Sequence, residues 1–360
     1  MATAGGVEPR IRQSARSARI ARQLKKRARI ARQLKNCFAS IFQIICRFIT
    51  MAIEYRTLGK TGLRVSALGL GGSEIGYQEV AQKTVDKIVG TALDSGINVI
   101  DTAECYANGE QLFGNALGHR RADVVLMTKC GHAQLAAASD RASGYAQPDW
   151  QPAMLSASID RSLKNLKTDH VDVMQFHSCS AETLRDDRVI DVLTRARDAG
   201  KARYIGYSGD SDDAMYAVEM GIFDTLQISL NIADQEAIDR VLSKAIAAQM
   251  GVIVKRPIAN AAWRSGTKPP GDWYTQPYWD RLRKLGYDFL DLDIETAVAI
   301  ALRFTLGTAG VSTAIVGTTR VERVAQNIAH ASAGPLPIAD YDAIRARWRQ
   351  VARPDWTGQR

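Results

Sequence analysis

The sequence predicts an α/β protein: a single-domain (β/α)8 barrel of the TIM type, with a short N-terminal hairpin and long loops after the third and seventh strands. Three observations carry this. Eight short apolar, β-branched runs lie between Met51 and Arg360. Several follow a helical pattern that stops at a glycine, the mark of serial β/α units. The alternative, a doubly wound open sheet, normally shows a phosphate fingerprint after its first strand. Here Gly69-Leu-Gly71-Gly72-Ser-Glu74 sets a glutamate where the third glycine of G-x-G-x-x-G belongs.

Taken in order, Tyr55 to Gly72 opens with a hairpin turning at Lys60-Thr61-Gly62 and continues into a first barrel strand over Ala67 to Leu70. A helix from Val80 then aligns Val85, Ile88, Val89, Ala92 and Leu93 on one face and ends at Gly96. Asn98 to Asp101, Val124 to Lys129 and Val171 to His177 are the next three strands. Gly200 precedes the strand Ala202 to Ser208, Gly221 precedes Thr225 to Ser229, and Gly251 precedes Val252 to Lys255, each glycine placed to end a helix. Thr313 to Val316 is the eighth strand. Two connections are long, Gly131 to Pro152 and Asn260 to Tyr287, and the second carries Trp263, Trp273, Tyr274, Tyr278 and Trp279. At a catalytic mouth such rings either wall a pocket or pack the loop onto the barrel.

The first 50 residues differ in kind. They hold 12 Lys and Arg against one acid, Glu8, whereas Met51 to Arg360 is close to neutral at −2. The pI of 9.3 therefore describes the prefix, and the barrel has no basic footprint for nucleic acid. Ala18 to Lys25 and Ala28 to Lys35 have the same sequence, and an apolar stretch from Cys37 to Thr50 is broken by Arg47. The expectation is a disordered extension preceding a start at Met51. A membrane-surface helix and a nucleic-acid-binding arm are the readings that apply if the extension is translated. The five cysteines include no C-x-x-C, and no run of 18 apolar residues exists, so the expectation is a cytoplasmic protein without a disulfide framework, a structural zinc module or a membrane span.

Four ionisable residues end strands or follow them closely: Asp101, Tyr106, Lys129 and His177. In a barrel these ends face one mouth, where chemistry is done. A lysine closing a buried strand needs a carboxylate, which Asp101 supplies, and an ammonium beside a phenol favours its ionised form. Each residue alone has a structural explanation, such as an ion pair or a satisfied core histidine. Their joint placement argues for proton transfer. His119, His132, His170 and His330 have no comparable context. Cys105, Cys130 and Cys179 each fall within two residues of Tyr106, Lys129 or His177, and are read as small buried fillers ahead of a redox-sensitive or metal-blocked site.

Asp101-Thr-Ala-Glu-Cys-Tyr106, followed by the strand-end Lys129 and His177 and preceded by Tyr55-Arg-Thr-Leu-Gly-Lys-Thr-Gly-Leu63, resembles the aldo-keto reductases over Ile53 to Ala331. The resemblance implies that Tyr106 protonates a carbonyl oxygen, that Lys129 lowers its pKa, that Asp101 holds Lys129, and that His177 orients the carbonyl. Hydride would come from NADPH, with NADH as the other cofactor, and no metal would take part. Ser208 and Gln227 match positions that bind the carboxamide in the family. Gly317, Thr318, Thr319, Arg323, Gln326 and Asn327 resemble the segment that holds the adenosine phosphate and adenine. Gly72, Lys255, Arg256 and Pro257 complete the expected cofactor contacts. Gly209, Gly317 and Val254 to Pro257 depart from the common family pattern at the carboxamide, phosphate and nicotinamide-stacking positions.

The resulting expectation is a reductase of aldehydes or ketones, a small-molecule carbonyl being its partner. Two alternatives use the same residues: an NAD-dependent dehydrogenase of a sugar or other secondary alcohol, and an NADP-sensing regulatory subunit that binds cofactor without turnover.

Overall fold

The computed structural model describes residues 53–132 and 147–359. The basic extension and the middle of the connection after the third barrel strand lie outside the described residues. Two strands form the predicted hairpin, β1 (Tyr55–Thr57) and β2 (Arg64–Ser66), with Thr57 paired to Arg64. Its turn is a 3-10 segment, Gly59–Thr61, closed by Gly62 in the left-handed region at φ 69°. Gly59 is held at φ +49°, and a Cβ there would lie 2.3 Å from the Gly251 nitrogen. Only glycine permits that approach.

The remaining strands close into one parallel barrel in chain order: β3 (Leu68–Gly71), β4 (Val99–Asp101), β5 (Val125–Cys130), β6 (Val171–His177), β7 (Ala202–Ser208), β8 (Thr225–Ser229), β9 (Gly251–Lys255) and β10 (Val311–Gly317). β10 returns to β3 with Gly317 opposite Gly71. All eight predicted strands are present, with ends displaced by two residues at most.

Each crossover is helical. The first, Gln82–Asp94, buries Val85, Ile88, Val89, Ala92 and Leu93, the five positions its spacing predicts. Val, Ile and Leu chains of this kind contribute about 1.5–3 kcal/mol each on burial, so a charge at Ile88 would abolish the docking of this helix. Gly96, Gly200 and Gly221 end their helices at φ 90°, 75° and 69°, as the sequence indicates. Gly251 does not. Gln249 takes the left-handed turn at φ 53°, and Gly251 instead makes room for the hairpin, since a Cβ there would meet the Leu58 side chain at 2.5 Å.

The barrel interior has two levels. At the hairpin end Leu58 and Val65 pack with Val99, Val125, Met127, Val173, Ile253 and Ile315 in an apolar floor. The hairpin is tied there by Arg56, which donates to the carbonyls of Leu306 and Val311 at 2.9 Å each, and by Ser312, which donates to Thr57. Above that floor the inward side chains turn polar. Among the described residues no helix is long and apolar enough to cross a membrane.

Candidate active site

The polar level is built by strand alternation. Asp101 ends β4, Lys129 and Gln175 face each other across β5 and β6, and Ser208 and Gln227 across β7 and β8. Lys129 is 2% exposed and Asp101 is 1%. The Lys129 ammonium donates to Asp101 Oδ2 at 2.6 Å and to the Thr102 carbonyl at 2.8 Å. Asp101 Oδ1 accepts from Gln227 Nε2 at 2.8 Å and Gln175 Nε2 at 3.3 Å, while Ser208 donates to Gln227 Oε1 at 2.9 Å. The carboxylate is thus surrounded by donors, which is what allows a charge to sit in a barrel interior.

Tyr106 follows β4 in a loop that leans on the short helix Ser73–Tyr77. The contact depends on Gly76, where a Cβ would lie 1.9 Å from the Tyr106 carbonyl oxygen. The Tyr106 ring lies edge-on to His177 at 5.7 Å and to Tyr77 at 5.4 Å, with the Lys129 nitrogen 5.2 Å from its centre. The predicted quartet is therefore one cluster.

Its electrostatics differ from the expectation in one respect. Burial, and after it the Asp101 charge, push the Tyr106 phenol well above its ordinary value. Reasoning from the Lys129–Tyr106 pair alone predicts the opposite sign, because it omits desolvation and the carboxylate that already neutralises the ammonium. Tyr106 is held as a protonated phenol. His177 is neutral, its pKa driven well below the usual range by burial, then by His132, Lys129, Lys255 and Arg256.

His132, which has no distinguishing context in the sequence, stands in this cluster, its ring 4.7 Å from that of His177. Burial lowers its pKa to about 4. Cys105 Sγ lies 3.4 Å from His177 Nδ1. Cys105, Cys130 and Cys179 are all buried free thiols, each pushed up by burial, Cys105 to about 12. His119 is exposed, His170 meets Asp169, and His330 lies 3.4 Å from Glu295, all away from the cluster.

A cleft of about 1270 Å³ opens over the mouth, and Asp101, Tyr106, His132, His177 and Gln227 line it. Gly72, Lys255, Arg256, Pro257 and Gly317 line it as well, with Arg264, Trp273 and Tyr274 from the long loop after β9. The other rings of that loop behave differently: Tyr278 and Trp279 are buried packing residues, and Trp263 packs against the core. Lys255 pairs with Asp210 at 2.9 Å. Arg256 donates to Ser229 at 2.6 Å, Gln359 O at 2.8 Å and Tyr274 Oη at 2.9 Å. Arg256, Ala259, Asn260 and Ala261 all have left-handed backbones, φ +48° to +57°, a concentration of strain at the rim.

Ser208 lies beneath the cleft, and Thr318, Thr319, Arg323, Gln326 and Asn327 follow Gly317 outside its lining. Thr318 accepts from the Arg320 nitrogen ahead of the helix Val321–Ser332, and Arg323 is ion-paired to Glu295. Glu74 is a lining residue that the sequence reading omits. Its carboxylate presses against Gly317, where a Cβ would fall 1.7 Å from Oε2. β3 and β10 meet only through barrel closure, so nothing local announces that contact.

The chain is similar to known proteins over most of its length. L-galactose dehydrogenase of Arabidopsis thaliana is 28% identical over 292 residues, 77% of this chain and 88% of that protein. A Bacillus subtilis protein named uncharacterized oxidoreductase YqkF is 26% identical over 82% of this chain and 96% of its own length. The holo form of the aldo-keto reductase AKR11C1 from Bacillus halodurans superposes with a TM-score of 0.71 at 24% identity, covering 84% of this chain and 99% of that one, a likeness of fold. The model described as Aldo/keto reductase family matches residues 67–349. Since that match runs through all eight barrel strands and the four clustered side chains, the chain belongs to the aldo/keto reductase family.

Proposed function

We propose that the chain reduces an aldehyde or ketone to an alcohol, with Tyr106 as proton donor and a nicotinamide dinucleotide as the source of hydride. The observation that carries this is a tyrosine phenol set between a neutral imidazole and a buried ammonium on the wall of a cleft. His177 turns a neutral ring toward the cleft and can donate one hydrogen bond to the carbonyl oxygen, orienting it toward Tyr106. Tyr106 Oη gives up its proton to that oxygen as the alcohol forms. The phenolate left behind is stabilised by Lys129, whose own charge Asp101 holds in place. When bound, the nicotinamide supplies the hydride.

The fit of a dinucleotide rests on three features. The cleft exceeds the usual range of about 300–1,000 Å³ for a small-ligand pocket. Ser208 and Gln227 retain hydrogen-bonding capacity beyond the bonds they make to each other and to Asp101. Gly71 and Gly72 line the cleft without side chains, which lets a ligand approach the backbone there. Ser208, Gln227, Gly72, Lys255, Arg256, Pro257 and Gly317 are the residues assigned to hold it, with Thr318, Thr319, Arg323, Gln326 and Asn327 beyond.

The test is NADPH oxidation with a panel of activated aldehydes, run beside Tyr106→Phe. Turnover that falls by about 10² to 10⁴ in the variant while cofactor binding persists is the expected outcome. Equal turnover in both proteins rejects the assignment, and tight binding without turnover in either favours the redox-sensing alternative.

A second reading, an NAD-linked dehydrogenase of a sugar or other secondary alcohol, is favoured by two placements in the phosphate segment. Glu74 puts a carboxylate against Gly317, and Arg323 is occupied by Glu295. An acid beside the adenosine end favours a ribose hydroxyl over a phosphate. Tighter binding of NAD than NADP, with alcohol oxidation exceeding carbonyl reduction, would establish it.

A further inference from the structure

We propose that Cys105, His132 and His177 form a binding site for a soft divalent cation of the zinc type, opening onto the carbonyl-facing side of the cleft. The three residues come from the ends of three successive barrel strands: the loop after β4, the residues just past β5, and the last position of β6. Their ligating atoms all lie within 4.8 Å of one another, and the Cys105 Sγ to His177 Nδ1 separation is 3.4 Å. Tetrahedral zinc, with bonds of about 2.3 Å to sulfur and about 2.0–2.1 Å to nitrogen, sets its ligands about 3.3–3.6 Å apart. One edge of the triangle therefore already has the required length. The other two edges are no longer than 4.8 Å, a difference that side-chain rotation closes.

The chemistry of the donor set narrows the ion. One thiolate and two imidazoles select zinc or copper and disfavour magnesium and calcium, which require oxygen ligands. Coordination forms a metal–sulfur bond at Cys105 and releases its thiol proton to solvent, with no redox change. Of the cations whose charge reaches His177, Lys129 is matched by Asp101, and Lys255 and Arg256 share Asp210 at 2.9 and 3.9 Å. Three protein ligands with a fourth position toward a cleft describe an open site, whereas structural zinc sites are closed by four. His132 and His177 both line the cleft, so an exogenous ligand has access to that fourth position.

Binding itself does not depend on the reductase reading. Its consequence does: an ion held by this triad stands beside His177, the group assigned to orient the carbonyl, with its open position toward the cleft, so zinc is expected to inhibit by competing with the carbonyl.

The experiment is a cobalt titration of the full chain followed by the thiolate-to-cobalt charge-transfer absorption, with zinc then displacing the cobalt. One saturable equivalent is expected. Cys105→Ser should abolish the charge-transfer band, and His132→Gln should weaken cobalt by about 100-fold or more. Absence of the band in the parent protein overturns the site. So does a band that survives both substitutions, which would place the metal on other thiols such as Cys37 or Cys46. If Cys105→Ser fails to fold, the affinity of His132→Gln decides alone. Charge-transfer absorption needs no turnover, so failure of the metal site and failure of the reductase reading are separate results. Zinc that binds as described but leaves the carbonyl KM unchanged would refute the inhibitory consequence.

Discussion

Lys129→Met replaces a buried ammonium by an apolar chain of similar length and leaves Asp101 in place. In the native site that carboxylate is 1% exposed and faces the ammonium at 2.6 Å. After substitution its side-chain donors are Gln227 at 2.8 Å and Gln175 at 3.3 Å, both neutral. Removing one member of a buried pair costs about 3–5 kcal/mol, because the remaining charge is stranded away from water. With a urea m-value of about 3 kcal/mol/M, the unfolding midpoint falls by about 1–1.7 M. Adding Asp101→Asn removes the stranded charge, so the double variant should regain most of the loss and be more stable than Lys129→Met alone. The assay is urea unfolding of the cofactor-free single and double variants at pH 7, followed by tryptophan fluorescence. A single-variant loss below about 1 kcal/mol, the range of an exposed pair, or a double variant less stable than the single, would refute the account of how this charge is held.

Three further outcomes are expected. Gly76→Ala should displace the Tyr106 loop, since its methyl would overlap the Tyr106 carbonyl. A shift of about 1 Å at a reacting group lowers turnover about 10²-fold, measurable as kcat with cofactor affinity intact. His132 is lowered from 6.5 to about 4, so between those values the unfolded chain binds the proton that the native state refuses, and its contribution to stability is lost as pH falls through that window. His132→Gln should therefore flatten the acid side of a plot of unfolding midpoint against pH, by up to about 3 kcal/mol. Asp234 has the opposite sign. Burial raises it from 3.8 to about 8 against the pull of Arg281, so the native state keeps a proton that the unfolded chain has lost, and stability declines as pH rises from about 4 to 8. Asp234→Asn should remove that decline and gain stability over the parent at pH 8, read from thermal midpoints in matched buffers.

The barrel was legible because its strands are short β-branched runs set off by turn residues, and its mouth because Asp101, Lys129 and His177 close such runs. A side chain's position along its strand fixes which face and which end it occupies, so local pattern suffices there. It does not suffice for His132. That residue joins the cluster because the chain past β5 bends to set its ring beside His177. Glu74 escaped for a larger reason: its contact with Gly317 exists only once the first and last barrel strands are neighbours. The direction of the Tyr106 shift is not legible in the sequence, because a pairwise argument carries no desolvation. The role of Gly251 is hidden because a glycine serving a turn and a glycine admitting a neighbour look alike in sequence.

The hairpin has a consequence for the order of events in folding. Its bonds from Arg56 to Leu306 and Val311 span 250 and 255 residues, and closing a loop of that length costs on the order of 5 kcal/mol in chain entropy. All other neighbouring strands in the barrel follow one another directly in the chain, so the seam between β3 and β10, with the hairpin bonds beside it, joins the most distant parts of the sequence and is the last to be rewarded. A hairpin forms within microseconds, and so stands ready as a clasp while the helices and strands between assemble. Removing residues up to Ser66 is then expected to slow refolding more than it hastens unfolding, in stopped-flow measurements on both limbs. The reverse partition would mean that the ring shuts first and the clasp is fastened afterwards.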